Sequence, residues 1–337
     1  MRRHLLPVAL AGLMLTGCGL AAVAPLKSAN QQGVAARAVT RGVEAGVEQG
    51  RLESNLAVLT GKAAMAAGGT IPERGTVQGR AFTRAHLTAT LEGYGYTVER
   101  HTYRTHGENV FARLMADAPT DEYILVGAHM DSVKNAGAND NGTGTVAVLE
   151  VARVMKGLEG RKVNVIFAWF DEEELGLVGS YAMAKDFRKK GLNITSVHTI
   201  DMMGWDSDGD RAIEIERPDG PLWDYYQMVN KSHGLNLKLT RTSSGDTDHV
   251  AWRSEGFQAV GLCEEWANKD TTPHYHKKTD DYNTINFAFL TSSTRLLAAV
   301  IGDLARAVPA PATTRFIPHD RFPGRDRPHV HGHDHAH

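Results

Sequence analysis

The chain has little cysteine and little net charge, and each shortage excludes a class of protein. Its 337 residues include only Cys18 and Cys263, and Cys18 belongs to an export signal described below, so no intramolecular disulfide is expected. Cys263 is expected to be a small buried side chain. The formal net charge is −2, without the basic excess of nucleic-acid-binding proteins, so we expect no nucleic-acid partner. What remains is an ordinary globular composition, with 42% hydrophobic and 23% charged residues.

The N-terminal residues have the order of an export signal. Arg2 and Arg3 precede an apolar run at residues 5–15, which is too short to span a bilayer. The following LTGC at residues 15–18 resembles the bacterial lipobox, a signal in which cleavage precedes the cysteine and the cysteine receives lipid. We therefore expect a lipoprotein signal peptide at residues 1–17 and lipidation of Cys18. The mature protein is then expected to be membrane-anchored in the cell envelope, outside the cytoplasm. Plain secretion with an incidental Cys18 is the alternative.

Strand-like and helix-like segments alternate along most of the remaining chain. Residues 18–51 are expected to be a tether, and residues 52–308 a folded domain. Short apolar runs predict buried strands at 123–128, 163–170 and 197–202. Further strands are predicted at 96–103, 109–115, 212–216, 235–239 and 258–263, and helices at 84–94 (N-cap Thr83), 143–155, 180–190, 222–232 and 286–307. This alternation indicates a layered α/β fold with a mostly parallel central sheet.

The last residues differ from the domain in composition. Residues 309–337 contain several prolines and end in histidines that alternate with other residues. This tail is expected to be disordered. Alternating histidines can bind zinc or nickel loosely, and the alternative is a solvated tail without function.

Acidic and imidazole side chains follow three of the predicted buried strands. His129 and Asp131 follow the first, Glu173 and Glu174 follow the second, and Asp201 lies at the carboxyl end of the third. Functional residues of α/β sheets lie beyond the carboxyl ends of the strands, so these side chains are expected at one edge. Acids gathered there would repel one another unless cations were present.

Taken singly, these residues have ordinary structural explanations. His129 suits a core histidine, Asp140 a turn residue and Glu174 the solvated start of a helix. Taken together they favour a metal site. His129 and Asp131 point the same way on a strand, so Asp131 can hold the second ring nitrogen of a metal-bound His129. With Asp140 and His276, the chain has two histidines and three carboxylates, enough for two divalent ions if one carboxylate bridges them.

Five motifs together resemble the M28 zinc aminopeptidases of the bacterial leucyl type. They are GAHMDS at 127–132, GANDNGTG at 137–144, EELGLVGS at 173–180, IDM at 200–202 and YHKKTD at 275–280. The resemblance covers roughly residues 52–308. It implies the zinc-dependent exopeptidase fold, which is a three-layer α/β sandwich with a mixed, mostly parallel sheet and helices on both faces.

The resemblance also implies a role for each site residue. By motif, His129 and Asp201 are ligands of one zinc, Glu174 and His276 are ligands of the other, and Asp140 bridges the two. Asp131 is implied as the partner of His129 and Glu173 as the general base, with a cis peptide bond after Asp140. His274 competes with His276 as a ligand, and Trp205 and Trp266 are expected either in a specificity pocket or in the core.

The implied reaction is hydrolysis of peptides from their N-terminus by metal-activated water, with Glu173 moving the proton. Peptide substrates are then the expected partners. A glutaminyl cyclase, which resembles this family's fold but uses one metal, is an alternative. Its longer stretch after the paired glutamates is missing here, where GLVGS at 176–180 follows closely. A metal-binding lipoprotein working through its tail is a third possibility. His and carboxylate ligands suit zinc, and cobalt or manganese could replace it.

Overall fold

The computed structural model describes residues 42–307. The predicted signal peptide, Cys18, most of the tether and the His-rich tail lie outside the described residues. The strands are β1 (Val98–Arg104), β2 (Gly107–Leu114), β3 (Glu122–His129), β4 (Asn164–Phe170), β5 (Asn193–Ile200), β6 (Ala212–Glu216), β7 (Lys238–Thr242) and β8 (Ala259–Cys263). The helices are α1 (Gln49–Leu59), α2 (Val77–Gly93), α3 (Gly144–Met155), α4 (Val178–Lys189), α5 (Gly220–Ser232), α6 (His249–Ser254) and α7 (Phe287–Arg306).

The strands form one mixed sheet in the order β1-β2-β4-β3-β5-β8-β6-β7. Its centre is parallel, because β3 pairs in parallel with both β4 and β5, and β5 pairs in parallel with β8. Antiparallel pairs flank this centre at β1–β2, β2–β4 and β6–β8. The carboxyl ends of β3, β4 and β5 therefore lie at the same edge of the sheet.

Helices cover both faces of the sheet, so the domain has three layers. On one face, β3 residues such as Val126 pack in a core with α1, α2, α3, α5 and α7. On the other face, Leu125 packs in a second core with α4 and α6, including Phe187 and Trp252. Helix α7 is long and apolar enough to cross a membrane, but 67% of its apolar window is buried within the protein, as in a core helix.

Folded structure begins earlier than the tether boundary predicted at residue 51. A short 3₁₀ helix spans Val43–Gly46, Val47 is buried, and α1 starts at Gln49. Leu52 and Leu56, one helical turn apart, are fully buried and fix α1 against the core. Burial of one face of α1 and of Val47 places residues 43–51 in the domain, although their composition resembles a linker.

The predicted N-cap Thr83 is wrong. Helix α2 begins seven residues earlier on the chain, and the Thr76 side chain caps it by accepting a hydrogen bond from the Gly79 backbone N–H at 3.1 Å. Thr83 lies inside the helix and donates to the Gly79 carbonyl. Strand β7 also lies three residues later than predicted, and the short helix α6 was not predicted. The hydrophobic patterns in these segments are weak, so tertiary packing determines where these helices and strands begin and end.

Candidate active site

The edge formed by the ends of β3, β4 and β5 carries the predicted acidic and imidazole groups. His129 is the last residue of β3 and pairs with Phe170, the last residue of β4. Asp171 and Asp201 are the next residues after β4 and β5. Parallel pairing places these three positions side by side, which is why residues far apart in the sequence share one site.

The ligand candidates form two groups of three that share Asp140. In the first group, the His129 Nε2 atom lies 3.3 Å from Asp140 Oδ1 and 3.4 Å from Asp201 Oδ1. In the second, the His276 Nε2 atom lies 3.2 Å from Asp140 Oδ2 and 3.0 Å from Glu174 Oε2. Each oxygen of Asp140 therefore faces a different histidine.

These two groups are suited to holding cations. His129 Nε2, Asp140 Oδ2 and Asp201 Oδ1 are buried and have no hydrogen-bond partner among the described residues. Buried polar atoms are normally partnered, so unpartnered atoms in both ligand groups indicate that the groups bind something. Imidazole nitrogens and carboxylate oxygens in sets of three are the donors that zinc takes in catalytic sites. The residues present fit two divalent ions with Asp140 between them.

Crowding of carboxylates shifts the proton affinities of the site. Burial raises the pKa of Glu174 to about 7, and the neighbouring Asp140 carboxylate adds to this rise. Burial works against protonation of His276, but the neighbouring Asp140 and Glu174 carboxylates outweigh it and raise the pKa of His276 to about 10. Burial raises the pKa of Glu173 well above its ordinary value, although His129 opposes that rise. Positive charge between these acids would relieve their repulsion.

Asp131 joins the His129 group to the glutamate pair. Its Oδ1 atom lies 3.3 Å from His129 Nδ1, on the ring side away from Asp140. The same carboxylate accepts the backbone N–H groups of Glu173 at 3.1 Å and of Glu174 at 3.3 Å. The contact with His129 is where the sequence places it. The two backbone bonds were not predicted, and they tie the ends of β3 and β4 together.

Asp280 holds the loop that carries the shared ligand. Its carboxylate accepts the backbone N–H of Asn139 at 2.8 Å and that of Asp140 at 3.1 Å. The peptide bond between Asp140 and Asn141 is cis, as the resemblance implies. Asp280 ends the YHKKTD motif, and the sequence predicts no role for it.

Other candidates lie at the margin of the site. His274 belongs to neither ligand group, and its Nδ1 atom lies 2.9 Å from the Thr279 hydroxyl. Trp266 is 38% exposed, and its ring packs 4.9 Å from that of Tyr275, which stacks on His276 at 3.8 Å. Trp205 instead donates its ring N–H to Asp270. Trp266 is therefore linked to His276 of the second ligand group through the ring of Tyr275.

Sequence comparison assigns the chain to a family. The model of Peptidase family M28 matches residues 109–301, more than half of the chain. The chain belongs to peptidase family M28. Among its relatives, leucine aminopeptidase 1 of Trichophyton rubrum is 26% identical to this chain over 242 residues, which are 65% of this chain and 64% of the relative. Aminopeptidase YwaD of Bacillus subtilis is 29% identical over 202 residues, 58% of this chain and 44% of the relative. The M28 chain thus spans less than two thirds of either relative.

Solved structures share the fold of this M28 chain. BSAP, a zinc aminopeptidase from Bacillus subtilis, matches with a TM-score of 0.68 and 15% identity, over 76% of this chain and 95% of that one. A glutaminyl cyclase from Porphyromonas gingivalis matches with a TM-score of 0.63 and 16% identity, over 76% and 98%. The predicted three-layer α/β fold is confirmed. At these identities the likeness extends to the fold alone, and aminopeptidases and cyclases share it.

Proposed function

We propose that the chain is a di-zinc aminopeptidase that removes N-terminal residues from peptides. The observation that carries this proposal is Asp140, which directs one oxygen to His129 and the other to His276. Membership of family M28 and the aminopeptidase relatives support it. Glu173 stands beside the ligand groups without belonging to either, which suits a proton carrier.

The two zinc ions are assigned to the two ligand groups. His129, Asp140 and Asp201 would hold one ion, and Asp140, Glu174 and His276 the other. The zinc named for BSAP supports the choice of metal. Cobalt and manganese accept the same donors, so either metal could occupy the two ligand groups in place of zinc.

Glu173 and Asp131 have separate roles in the proposed hydrolysis. When bound, the ions supply a water of lowered pKa and polarise the scissile carbonyl. Glu173 accepts a proton from the attacking water on its carboxylate and delivers it to the leaving amine. Asp131, whose Oδ1 atom faces His129 Nδ1, favours the tautomer that carries its proton on Nδ1 and leaves Nε2 free to bind an ion. Its hydrogen bonds from the Glu173 and Glu174 backbone N–H groups set the position of the base.

Hydrolysis of a panel of aminoacyl-anilides by zinc-replete protein tests this function. We expect cleavage of substrates with a free amine and no cleavage of their N-acetylated counterparts. Cleavage of acetylated substrates would contradict an aminopeptidase but not a hydrolase. A parallel assay with N-terminal glutaminyl peptides distinguishes the cyclase, which releases ammonia and leaves the peptide bonds intact. Metal binding without turnover of any of these substrates would point to the metal-binding lipoprotein.

We further propose that the mature protein is lipid-anchored in the cell envelope, on the strength of the export signal at residues 1–18. Replacing Cys18 by Ser removes the acceptor sulfur, so the protein is expected to move from the membrane fraction to the soluble fraction. Immunoblotting of fractionated cells measures the shift. Cys263→Ser is the matched control, because Cys263 is buried in β8, and this variant should stay with the membrane. Membrane association of the Cys18 variant equal to wild type would contradict the anchor.

A further inference from the structure

The two acids that precede the proposed base contact arginines instead of the metal-binding groups. Asp171 and Glu172 immediately follow β4, and both are buried. Arg80 reaches both of them from helix α2, with its Nε atom 2.9 Å from Asp171 Oδ1 and its Nη2 atom 2.9 Å from Glu172 Oε1. A single guanidinium thus holds two consecutive carboxylates, a geometry that the planar fork of arginine permits and an ammonium cannot reproduce.

Glu172 is held from three directions. Besides Arg80, its Oε2 atom accepts hydrogen bonds from the Tyr103 hydroxyl at 2.8 Å and from Arg104 Nε at 2.7 Å. Its backbone is left-handed, with φ of 59°, a conformation that a glutamate adopts only when its surroundings enforce it. The chain turns at this residue from the direction of β4 into the short helix that bears Glu173 and Glu174.

Asp171 fixes the other side of this turn. Its Oδ2 atom accepts hydrogen bonds from Arg84 Nη1 at 3.0 Å and from the Glu108 backbone N–H at 3.1 Å. The Asp171 side chain is fully buried, so this carboxylate is stable as an anion only with such partners. Together, Asp171 and Glu172 anchor the turn to α2 and to the β1–β2 hairpin.

The direction of Glu173 depends on this turn. Within residues 42–307, the Glu173 carboxylate accepts no hydrogen bond that orients it, and its ion-pair partner, His129 Nε2, lies 3.9 Å away. Its backbone N–H is held by Asp131 from the side of the site. The opposite side is held by the arginine contacts of the two preceding residues. These arginines come from residues 80–104, before the start of the family match at residue 109.

We propose that Arg80 is a positioning residue for Glu173, and that residues 80–104 thereby form a working part of the active site. The inference rests on the proposed function, since it assigns Glu173 as the base. Arg80 acts through the Asp171–Glu172 turn and does not touch the ligand groups. A small change in its length or shape should displace the carboxylate that moves the proton while leaving the metal ligands in place.

Arg80→Lys tests this role, because it keeps the charge but loses the fork. We expect kcat on an aminoacyl-anilide to fall roughly 10- to 100-fold, as for a displacement of about 1 Å in a reacting group. KM should stay within about twofold and the zinc content should equal that of wild type, because positioning of the base affects the chemical step alone. Arg51→Lys is the control, since Arg51 forms an exposed ion pair with Glu48, its neighbour at the start of α1, and wild-type kcat is expected.

Arg104→Gln is a second test of the positioning role that can be used even if Arg80→Lys does not fold. Arg104 is half exposed and contacts Glu172, so its loss leaves no buried cavity. We expect kcat to fall between about two- and tenfold at unchanged zinc content and unfolding temperature, because Glu172 keeps Arg80 and Tyr103 and loses one of its three side-chain partners.

The possible outcomes distinguish a failure of the positioning role of Arg80 from a failure of the proposed aminopeptidase function. Wild-type kcat in both variants, or a fall in kcat that only follows lost zinc, overturns the positioning role while the aminopeptidase stands. If Arg80→Lys does not fold, Arg104→Gln decides alone. If wild-type protein cleaves none of the anilides, the proposed function fails and the inference falls with it.

Discussion

Replacing Glu173 by Gln is expected to lower kcat about 10²–10⁴-fold, the usual contribution of a general base. Glutamine keeps the size of the side chain and cannot accept the proton of the attacking water. Zinc content should remain that of wild type, because Glu173 lies in neither ligand group. Steady-state kinetics on an aminoacyl-anilide and elemental analysis of the same preparation measure both quantities.

The matched control for this substitution is Glu92→Gln, on the exposed end of α2. It makes the same chemical change away from the site and should leave kcat unaltered. Near-normal turnover of the Glu173 variant with its zinc intact would show that another group moves the proton.

Replacing Asp140 by Ala is expected to abolish activity and to reduce the zinc content of both ligand groups together. Asp140 contributes one oxygen to each group, so its removal leaves two ligands in place of three at both positions. Catalytic zinc sites are generally built from three protein ligands, and two hold the ion poorly. Elemental analysis after dialysis against a fixed free zinc concentration measures the loss.

Asp140→Asn serves as the companion variant, because it keeps the volume and one oxygen of the side chain. It should retain more zinc than the alanine variant and less than wild type. Asp121→Ala, at an exposed position before β3, is the control for the loss of an aspartate and should bind zinc as wild type does. Two zinc ions per chain in the alanine variant would show that Asp140 is not the bridge.

The sequence predicts the centre of the sheet and the placement of the ligands because both depend on strong local patterns. The run at 123–128 is apolar throughout, as a strand buried on both faces requires, and the structure extends it by one residue at each end to Glu122–His129. Once β3, β4 and β5 are parallel neighbours, His129 and Asp201 must lie at one edge. Motif resemblance supplies Asp140 and His276, which no strand pattern places.

The remaining contacts could not be predicted because they join distant segments without a local signature. Arg80 and Glu172 are 92 residues apart, and nothing in the neighbourhood of either one indicates the other. Asp280 and Asn139 are 141 residues apart. Such pairs are determined by how helices and loops pack on the sheet. The start of α2 is a milder case, because Thr76 and Thr83 are both suitable caps and only packing distinguishes them.

The loop that bears His276 also bears Asp280, and this restricts how the chain can change in length. The imidazole of His276 reaches Asp140 from one side, while the Asp280 carboxylate holds the backbone N–H of the same residue. One inserted or deleted residue between positions 276 and 280 would break one of these contacts if the other were kept. Homologous chains that keep this site should therefore tolerate insertions before His276 or after Asp280, but not in the three residues between them.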